Sequence, residues 1–219
     1  MSKEMELILK EGAKEVGASL SQEMIQMFFV YLKELKEWNQ KTNLTALKED
    51  KSIITKNFID SLSLVPYLPS RSSLLDLGSG AGFPGIPVKI AKPSLEITLL
   101  EATRKKASFQ QHLIRSLRLS RINVIQGRAE SLKSDSALPA SFDIVTSRAF
   151  SKLKKFLILG EPFVRKGGCL VAMKGRQAEE ELKDSQDVIK ALSLQIRRKV
   201  ELQIPPLKEK RWLIFIGKR

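Results

Sequence analysis

At 219 residues, the chain is long enough for one α/β domain plus a small extension. Its 38 basic against 24 acidic residues leave a formal net charge of +14, which argues for a polyanionic partner such as nucleic acid and promotes solubility. One cysteine, Cys169, rules out a disulfide framework within the chain, the opening residues show no apolar signal core, and no apolar run reaches membrane-spanning length, so a cytoplasmic protein is expected.

Residues 4–17 read as a short helix broken at Gly17, and Ser19 followed by Gln22 forms a capping-box signature. Met24, Met27, Phe28, Tyr31, Leu35 and Trp38 then recur at helical spacing, with Lys33, Glu34, Lys36 and Glu37 on the other side. Such a stripe is core packing rather than a nucleobase platform. From Trp38 to Thr45 polar, turn-prone residues break the periodicity. A further helix, about Lys51 to Val65, ends at Pro66 and carries Asn57, Asp60 and Ser61 on its polar side. Residues 1–71 are therefore expected to form a helical extension, and residues 72–219 the main domain.

That domain opens with the apolar run Leu74 to Leu77, which ends in four glycines spread over eight residues, followed by a helix-compatible segment from Val88 to Ala91. Strand, glycine turn and helix make a ligand crevice at the carboxyl end of a strand. Gly80, Gly82 and Gly85 satisfy the G-x-G-x-x-G spacing of dinucleotide binders, with Glu101 near the distance of a ribose-binding acid. Asp76, Gly78, Gly80 and Gly82 satisfy instead the acid-x-G-x-G-x-G pattern that suits S-adenosylmethionine. Asp76 separates the two, because a carboxylate at the strand end opposes a pyrophosphate but favours the ammonium and sulfonium of the methyl donor. No G-K-[ST] follows the glycines, which excludes a P-loop.

Strand and helix patterns then alternate. Leu95 to Glu101 is a strand ending in an acid, Arg104 to Leu117 a basic helix, and Ile122 to Gln126 a third strand leading into Gly127-Arg128-Ala129-Glu130. Phe142 to Ser147 is a fourth strand, running into Arg148-Ala149-Phe150. Leu153 to Val164 reads as helix, Gly168 to Met173 as a fifth strand running into Lys174-Gly175-Arg176, and Glu179 to Leu192 as a charged surface helix. Ile196 to Leu202 and Trp212 to Ile216, joined through Pro205-Pro206, pair antiparallel at one edge. Five parallel strands closed by such a hairpin resemble the seven-stranded, Rossmann-like S-adenosylmethionine-dependent methyltransferase fold, a mostly parallel α/β sheet.

In such a sheet the residues just past each strand are the candidates. Glu101 can accept from both ribose hydroxyls. Ala129 and Glu130 can flank an adenine, although Glu130 could equally cap the next helix. Arg148, Lys174 and Arg176 place positive charge at the mouth of the cleft, where it would meet acceptor phosphates. Arg104, Lys105, Lys106, Arg115, Arg118 and Arg121 either extend that surface or form a solvated helix face. Cys169 reads as a buried structural thiol, and His112 stands apart from other ligand-type residues, so no metal is expected.

Asn43-Leu44-Thr45, Asp60-Ser61-Leu62, the loop Gly78 to Pro87 with its G-F-P-G-I-P tail, Gly127 to Glu130, Ser147-Arg148-Ala149 and Lys174-Gly175 together resemble the methyltransferase G family of bacterial small-subunit ribosomal RNA, also called glucose-inhibited division protein B. The resemblance spans nearly the whole chain. It implies methyl transfer from S-adenosylmethionine to guanine N7 of 16S rRNA, with the small ribosomal subunit as partner and a monomer as the working form. It further implies that Gly78, Phe83, Ala129, Glu130 and Arg148 contact the donor or line its pocket, and that Asn43, Asn57, Arg148, Lys174 and Arg176 serve the RNA. The family often has histidine three residues before the Asp-Ser pair, where this chain has Asn57. Guanine N7 carries a lone pair and no proton, so no catalytic base is expected; catalysis would be positioning alone. Two alternatives remain: a basic RNA-binding or assembly factor that retains the donor fold without turnover, and an NAD-dependent oxidoreductase.

Overall fold

In the computed structural model, which describes residues 2–132, 140–148 and 152–218, the β-type runs join one seven-stranded sheet. The elements run α1 (Lys3–Glu15), α2 (Gln22–Thr42), α3 (Asp50–Ile53), a π-helical segment (Ile54–Ile59) and α4 (Asp60–Leu62). There follow β1 (Ser73–Leu77), α5 (Gly85–Ala91), β2 (Glu96–Glu101), α6 (Arg104–Ser116), β3 (Ile122–Gln126), α7 (Ala129–Leu132) and β4 (Phe142–Ser147). The chain closes with α8 (Leu153–Gly160), β5 (Val164–Lys174), α9 (Ala178–Lys183), α10 (Gln186–Ala191), β6 (Leu194–Ile204) and β7 (Glu209–Lys218).

The strand order is β3-β2-β1-β4-β5-β7-β6, with β1 to β5 parallel and β7 antiparallel to both β5 and β6. The connections run outward one way through β2 and β3, then the other way through β4 and β5. The switch point therefore lies between β1 and β4, where a ligand crevice opens beyond the carboxyl ends of the strands. Both faces of the sheet are covered, so the central strands are buried on both sides and mostly apolar rather than alternating. Leu74, Ile97 and Leu99 face the side packed by α2, α5 and α6, while Leu75, Leu77 and Leu100 face α8, α9 and α10.

The helical extension shares the first of these cores. Leu9, Phe28, Tyr31, Phe58 and Ile59 pack in one cluster with Leu74, Phe109 and Val171. Helix α2 starts two residues later than the capping-box reading placed it. Ser21, not Ser19, is the N-cap, its hydroxyl accepting from the Met24 N–H at 3.2 Å, and Gln22 instead donates to Glu6 at 2.9 Å. It also runs on through Thr42 before Asn43 ends it with a left-handed φ of 47°. Trp38 packs on Phe109 and His112, and this tertiary contact carries the helix past the polar residues that suggested a break.

Other departures have similar causes. Asn57, Asp60 and Ser61, expected on a solvent side, are 4%, 1% and 0% exposed. Strand β5 starts at Val164, because Val164 already pairs with Phe142, and the expected charged helix is two, α9 and α10, flanking a buried Ser185 whose hydroxyl donates to the Glu181 carbonyl. Cys169 is half-buried rather than interior. His112 meets Glu34 at 2.6 Å.

Because extension and sheet share one core, they are expected to unfold together. Phe58→Ala, in a fully buried ring packed on Phe28, Tyr31 and Phe83, should cost about 3–5 kcal/mol. Urea titrations followed by far-UV dichroism and by Trp38 and Trp212 fluorescence should give a single coincident transition at a lower midpoint; two separated transitions would refute the shared core.

Candidate active site

The glycine loop is built from backbone outward. The Gly78 and Ser79 N–H groups both donate to the Leu100 carbonyl, at 2.9 and 3.1 Å, which turns the chain sharply off β1 across the end of β2. Gly80, at φ +59°, has no atom within 4 Å of where a side chain would begin. That bare backbone faces open space, as a ligand-approach position requires. Gly85 is bare for the opposite reason: a Cβ there would meet Leu99 at 2.3 Å and the Asp76 carboxylate at 3.0 Å.

Asp76 lies beneath this loop, fully buried. Its Oδ2 accepts from the Gly85 N–H at 2.8 Å, while Oδ1 has no partner. Burial pushes its pKa from 3.8 up to about 7; the Gly85 N–H and Arg148 pull it back, and Glu101 adds to the rise. A buried carboxylate with an orphan oxygen is a site for a cation. Glu101, at the end of β2, accepts from the Gly80 N–H at 2.8 Å and from the Thr103 N–H at 2.7 Å, one to each oxygen. Each oxygen keeps a second lone pair for a hydroxyl donor. The residues present thus fit a cationic nucleoside: a carboxylate for the charge, a second for a ribose, and bare backbone between them.

Three residues that the sequence reading did not assign brace the site, two of them on the loop and the third on Asp60. Tyr31 of α2 stacks on Phe83 with ring centroids 5.3 Å apart, and its hydroxyl donates to the Ala81 carbonyl at 2.5 Å. Burial holds that hydroxyl well above its ordinary pKa, so it stays a donor. Gln110 of α6 donates to the Ser79 hydroxyl at 2.8 Å and the Gly80 carbonyl at 2.7 Å. Arg211 of β7 donates through Nε to Asp60 at 2.9 Å. Tyr31 looked like plain core and Gln110 like one polar residue among many; only the fold tells them apart from others of their kind.

Arg148 sits just past β4, with its guanidinium carbon 4.9 Å from the centre of the Phe83 ring. It donates to the Lys56 carbonyl at 2.6 Å, to Asn57 Oδ1 at 2.8 Å and to Asp60 at 3.4 Å. All three acceptors belong to the π-segment and its immediate sequel, a geometry frequent at functional sites. Arg148, Lys174, Gly175, Arg211 and Asp60 line a cavity of about 250 Å³, with Lys174 held by Glu181 at 2.8 Å. The Nδ2 of Asn57 and the hydroxyl of Ser147 are buried here without partners.

The fold therefore brings Asp76, Gly78, Gly80, Gly82, Phe83 and Glu101 together at one end of the sheet, with Arg148, Asn57 and Lys174 beside them. Ala129 is buried at the start of α7, and Glu130 is exposed, 3.9 Å from Lys155. Arg176 is exposed beyond β5. Asn43 is exposed at the end of α2 and lines a separate cavity with Asn39, Thr45 and Ile53. Arg121, from the possible basic surface, pairs with Glu96 at the amino end of β2, away from the crevice. Ala149 and Phe150 lie outside the described residues.

Residues 24–211 match the family model described as rRNA small subunit methyltransferase G, GidB. The chain is 41% identical to the ribosomal RNA small subunit methyltransferase G of Geobacter sp. strain M21, covering 96% of each. It is 42% identical to the protein of that name from Acetivibrio thermocellus, over 99% of this chain and 90% of the relative. Among solved structures, it is similar to an S-adenosylmethionine-dependent methyltransferase from Aquifex aeolicus (TM-score 0.57, 13% identity, 75% of this chain and 92% of that one). It is likewise similar to YcgJ of Bacillus subtilis (TM-score 0.54, 16% identity, 73% and 98%). At such identities these two likenesses show the fold.

The state of Asp76 makes a testable pair of outcomes. Its folded pKa lies above its unfolded one, so the ligand-free chain loses stability as pH rises from about 4 to 7. Asp76→Asn keeps an acceptor for the Gly85 N–H and removes the charge. Its melting temperature without ligand should therefore exceed that of wild type at pH 8, and the gap should close below pH 4. Calorimetric titration with S-adenosylmethionine should show the same variant binding far more weakly. Wild-type affinity should fall about tenfold per unit as pH drops below 7, because the cation needs the ionised carboxylate. A variant less stable at pH 8 than wild type, or one that binds normally, would contradict this reading.

Proposed function

The chain belongs to the rRNA small subunit methyltransferase G family, and on that premise we propose how its residues carry the family's reaction, methyl transfer from S-adenosylmethionine to guanine N7 in 16S rRNA. The observation that carries the proposal is the juxtaposition of the orphan Asp76 carboxylate, under a bare glycine loop, with the Arg148-lined cavity beside it.

When bound, the donor supplies a methyl group activated by its sulfonium. Asp76 offsets the donor's positive charge, Glu101 accepts from its ribose, and Gly78, Gly80 and Gly82 let it lie against main chain. Phe83, fixed by Tyr31, and Ala129 with Glu130 complete the walls of that pocket. Arg148 stands at the border of the two subsites, Lys174 and Arg176 lie toward the RNA, Asn57 bears on it through Arg148, and Asn43, apart at the end of α2, would meet RNA only beyond the cleft. The guanine N7 lone pair needs no proton removed, and the groups at the cleft are committed elsewhere: Asp60 to two arginines, Lys174 to Glu181. Asp76, though poised near neutrality, is bonded into the loop. The protein therefore works by orientation and by exclusion of water. We read residues 1–71 as an extension packed on a 72–219 donor-binding domain, and the whole as a cytoplasmic monomer acting on 16S rRNA or the small subunit.

Borohydride reduction followed by aniline should cleave 16S rRNA from cells with the protein at one guanine, and leave rRNA from cells without it intact there. A labelled methyl found on an exocyclic nitrogen, a ribose oxygen or a carbon would overturn the acceptor assignment. Arg148→Lys keeps the charge but loses the fork that meets Asn57, Lys56 and Asp60. Its single-turnover rate with saturating donor should fall by about 100-fold. Donor binding with no transfer to rRNA by wild type would favour a non-catalytic assembly role instead.

A further inference from the structure

Far from the crevice, at the amino ends of β4 and β5, lies a second cavity of about 350 Å³, lined in part by Tyr67, Arg71, Ser72, Asp143, Arg165 and Arg197. Along β5 this end and Lys174 are six residues apart, about 20 Å at the rise of an extended strand.

A β-bulge builds its charge. In the β6–β7 pairing Ile196 meets Ile216 and Arg198 meets Phe215, which leaves Arg197 as the extra residue. A bulge re-aims a side chain, and here it lays Arg197 flat across Gly217, where any Cβ would meet its Nε at 1.8 Å. The Arg197 guanidinium donates to the carbonyls of Gly167 at 3.1 Å and Lys218 at 3.2 Å. Arg198, next in sequence, is held over the Tyr67 ring at 4.9 Å, and Tyr67 itself packs on Phe215 at 5.8 Å. Arg165 is fixed by Asp143 at 2.5 Å, and Arg71 stands exposed at the rim. Four arginines thus gather at this end of the sheet, and the one carboxylate lining the cavity, Asp143, is paired with Arg165 and also accepts from the Ser73 N–H and hydroxyl. The other acid nearby, Glu161, is taken by Lys218 at 2.7 Å. The Ser72 hydroxyl is buried here with no partner.

Three arginines held in place at one end of the sheet, with Asp143 already paired to Arg165, leave positive charge that a bound anion would offset. The planar donors of Arg match phosphate oxygens. We propose that this cluster is a second anchor for the acceptor RNA, gripping backbone phosphates about 20 Å from the methylated nucleotide. It rests on the reading of the chain as an rRNA-modifying enzyme, and extends it: RNA would span the full height of the sheet, so a short strand around the target nucleotide would fill only part of the binding surface.

The test compares long and short RNA. Arg71→Glu combined with Arg198→Glu changes two residues that donate no hydrogen bond among the described residues, so the fold should survive, as S-adenosylmethionine affinity and melting temperature will verify. In fluorescence anisotropy, affinity for full-length 16S rRNA should fall at least tenfold and its salt slope should shrink by one to two units. Affinity for a five-nucleotide RNA centred on the methylated position, too short to reach about 20 Å from its centre, should not change. Equal losses on both RNAs, or none on either, would overturn the proposal. Ethylation interference on wild-type protein gives an independent measurement: two separated groups of phosphates are expected, and a single group around the target would refute the second anchor. Failure of wild type to bind either RNA would instead refute the rRNA reading itself.

Discussion

The guanidinium of Arg148 is the contact on which the arrangement of this molecule turns. A positive charge held mostly away from water must be paired and hydrogen-bonded, or it destabilises the fold by several kcal/mol. Arg148 meets that demand entirely with oxygens from residues 56 to 60, a segment almost 90 positions earlier in the chain. The end of β4 is thereby joined to the helical extension at the one place where sheet and extension both border the crevice. Its flat face lies on Phe83, Phe83 lies on Tyr31, and Tyr31 bonds the glycine loop. A single stack thus connects the Arg148 cavity to the glycine loop.

The π-helical turn supplies what Arg148 needs. An i→i+5 segment displaces the backbone from the regular ladder and leaves carbonyls open to other donors, and the Lys56 carbonyl is the one that Arg148 takes. The next helical turn brings Asp60 inward, where it lies between Arg148 and Arg211. Removing that carboxylate would leave two cations facing each other across a small cavity. Asp60 is in this sense part of the architecture.

What could be read from the sequence was the part with local cause. A run of β-type residues broken by glycines declares a strand and a tight glycine loop, and the acids Asp76 and Glu101 fall beside that loop because period and turn fix them near strand ends. The mostly parallel sheet and its antiparallel edge hairpin followed from element alternation, whereas the order of the strands did not. What could not be read were effects whose partners lie far along the chain. Helix α2 continues past Trp38 because Phe109 is there to receive it. Asn57 and Asp60 turn inward because Arg148 and Arg211, some 90 and 150 residues on, need acceptors. Nothing within a helical window distinguishes Ser21 from Ser19 as a cap, or marks Gln110 as the residue that braces the loop. Cap, buried acid and brace are decided by tertiary packing, which outweighs local propensity.

The orphan oxygen of Asp76 has a consequence outside catalysis. A ligand that binds the folded chain and not the unfolded one stabilises it by mass action, and a cation that paired with Asp76 would add relief of a buried, unpartnered carboxylate. The empty protein is then the fragile one, opening more often to proteases, while the occupied protein persists. The cell's supply of methyl donor would set not only how fast this enzyme works but how many copies of it survive.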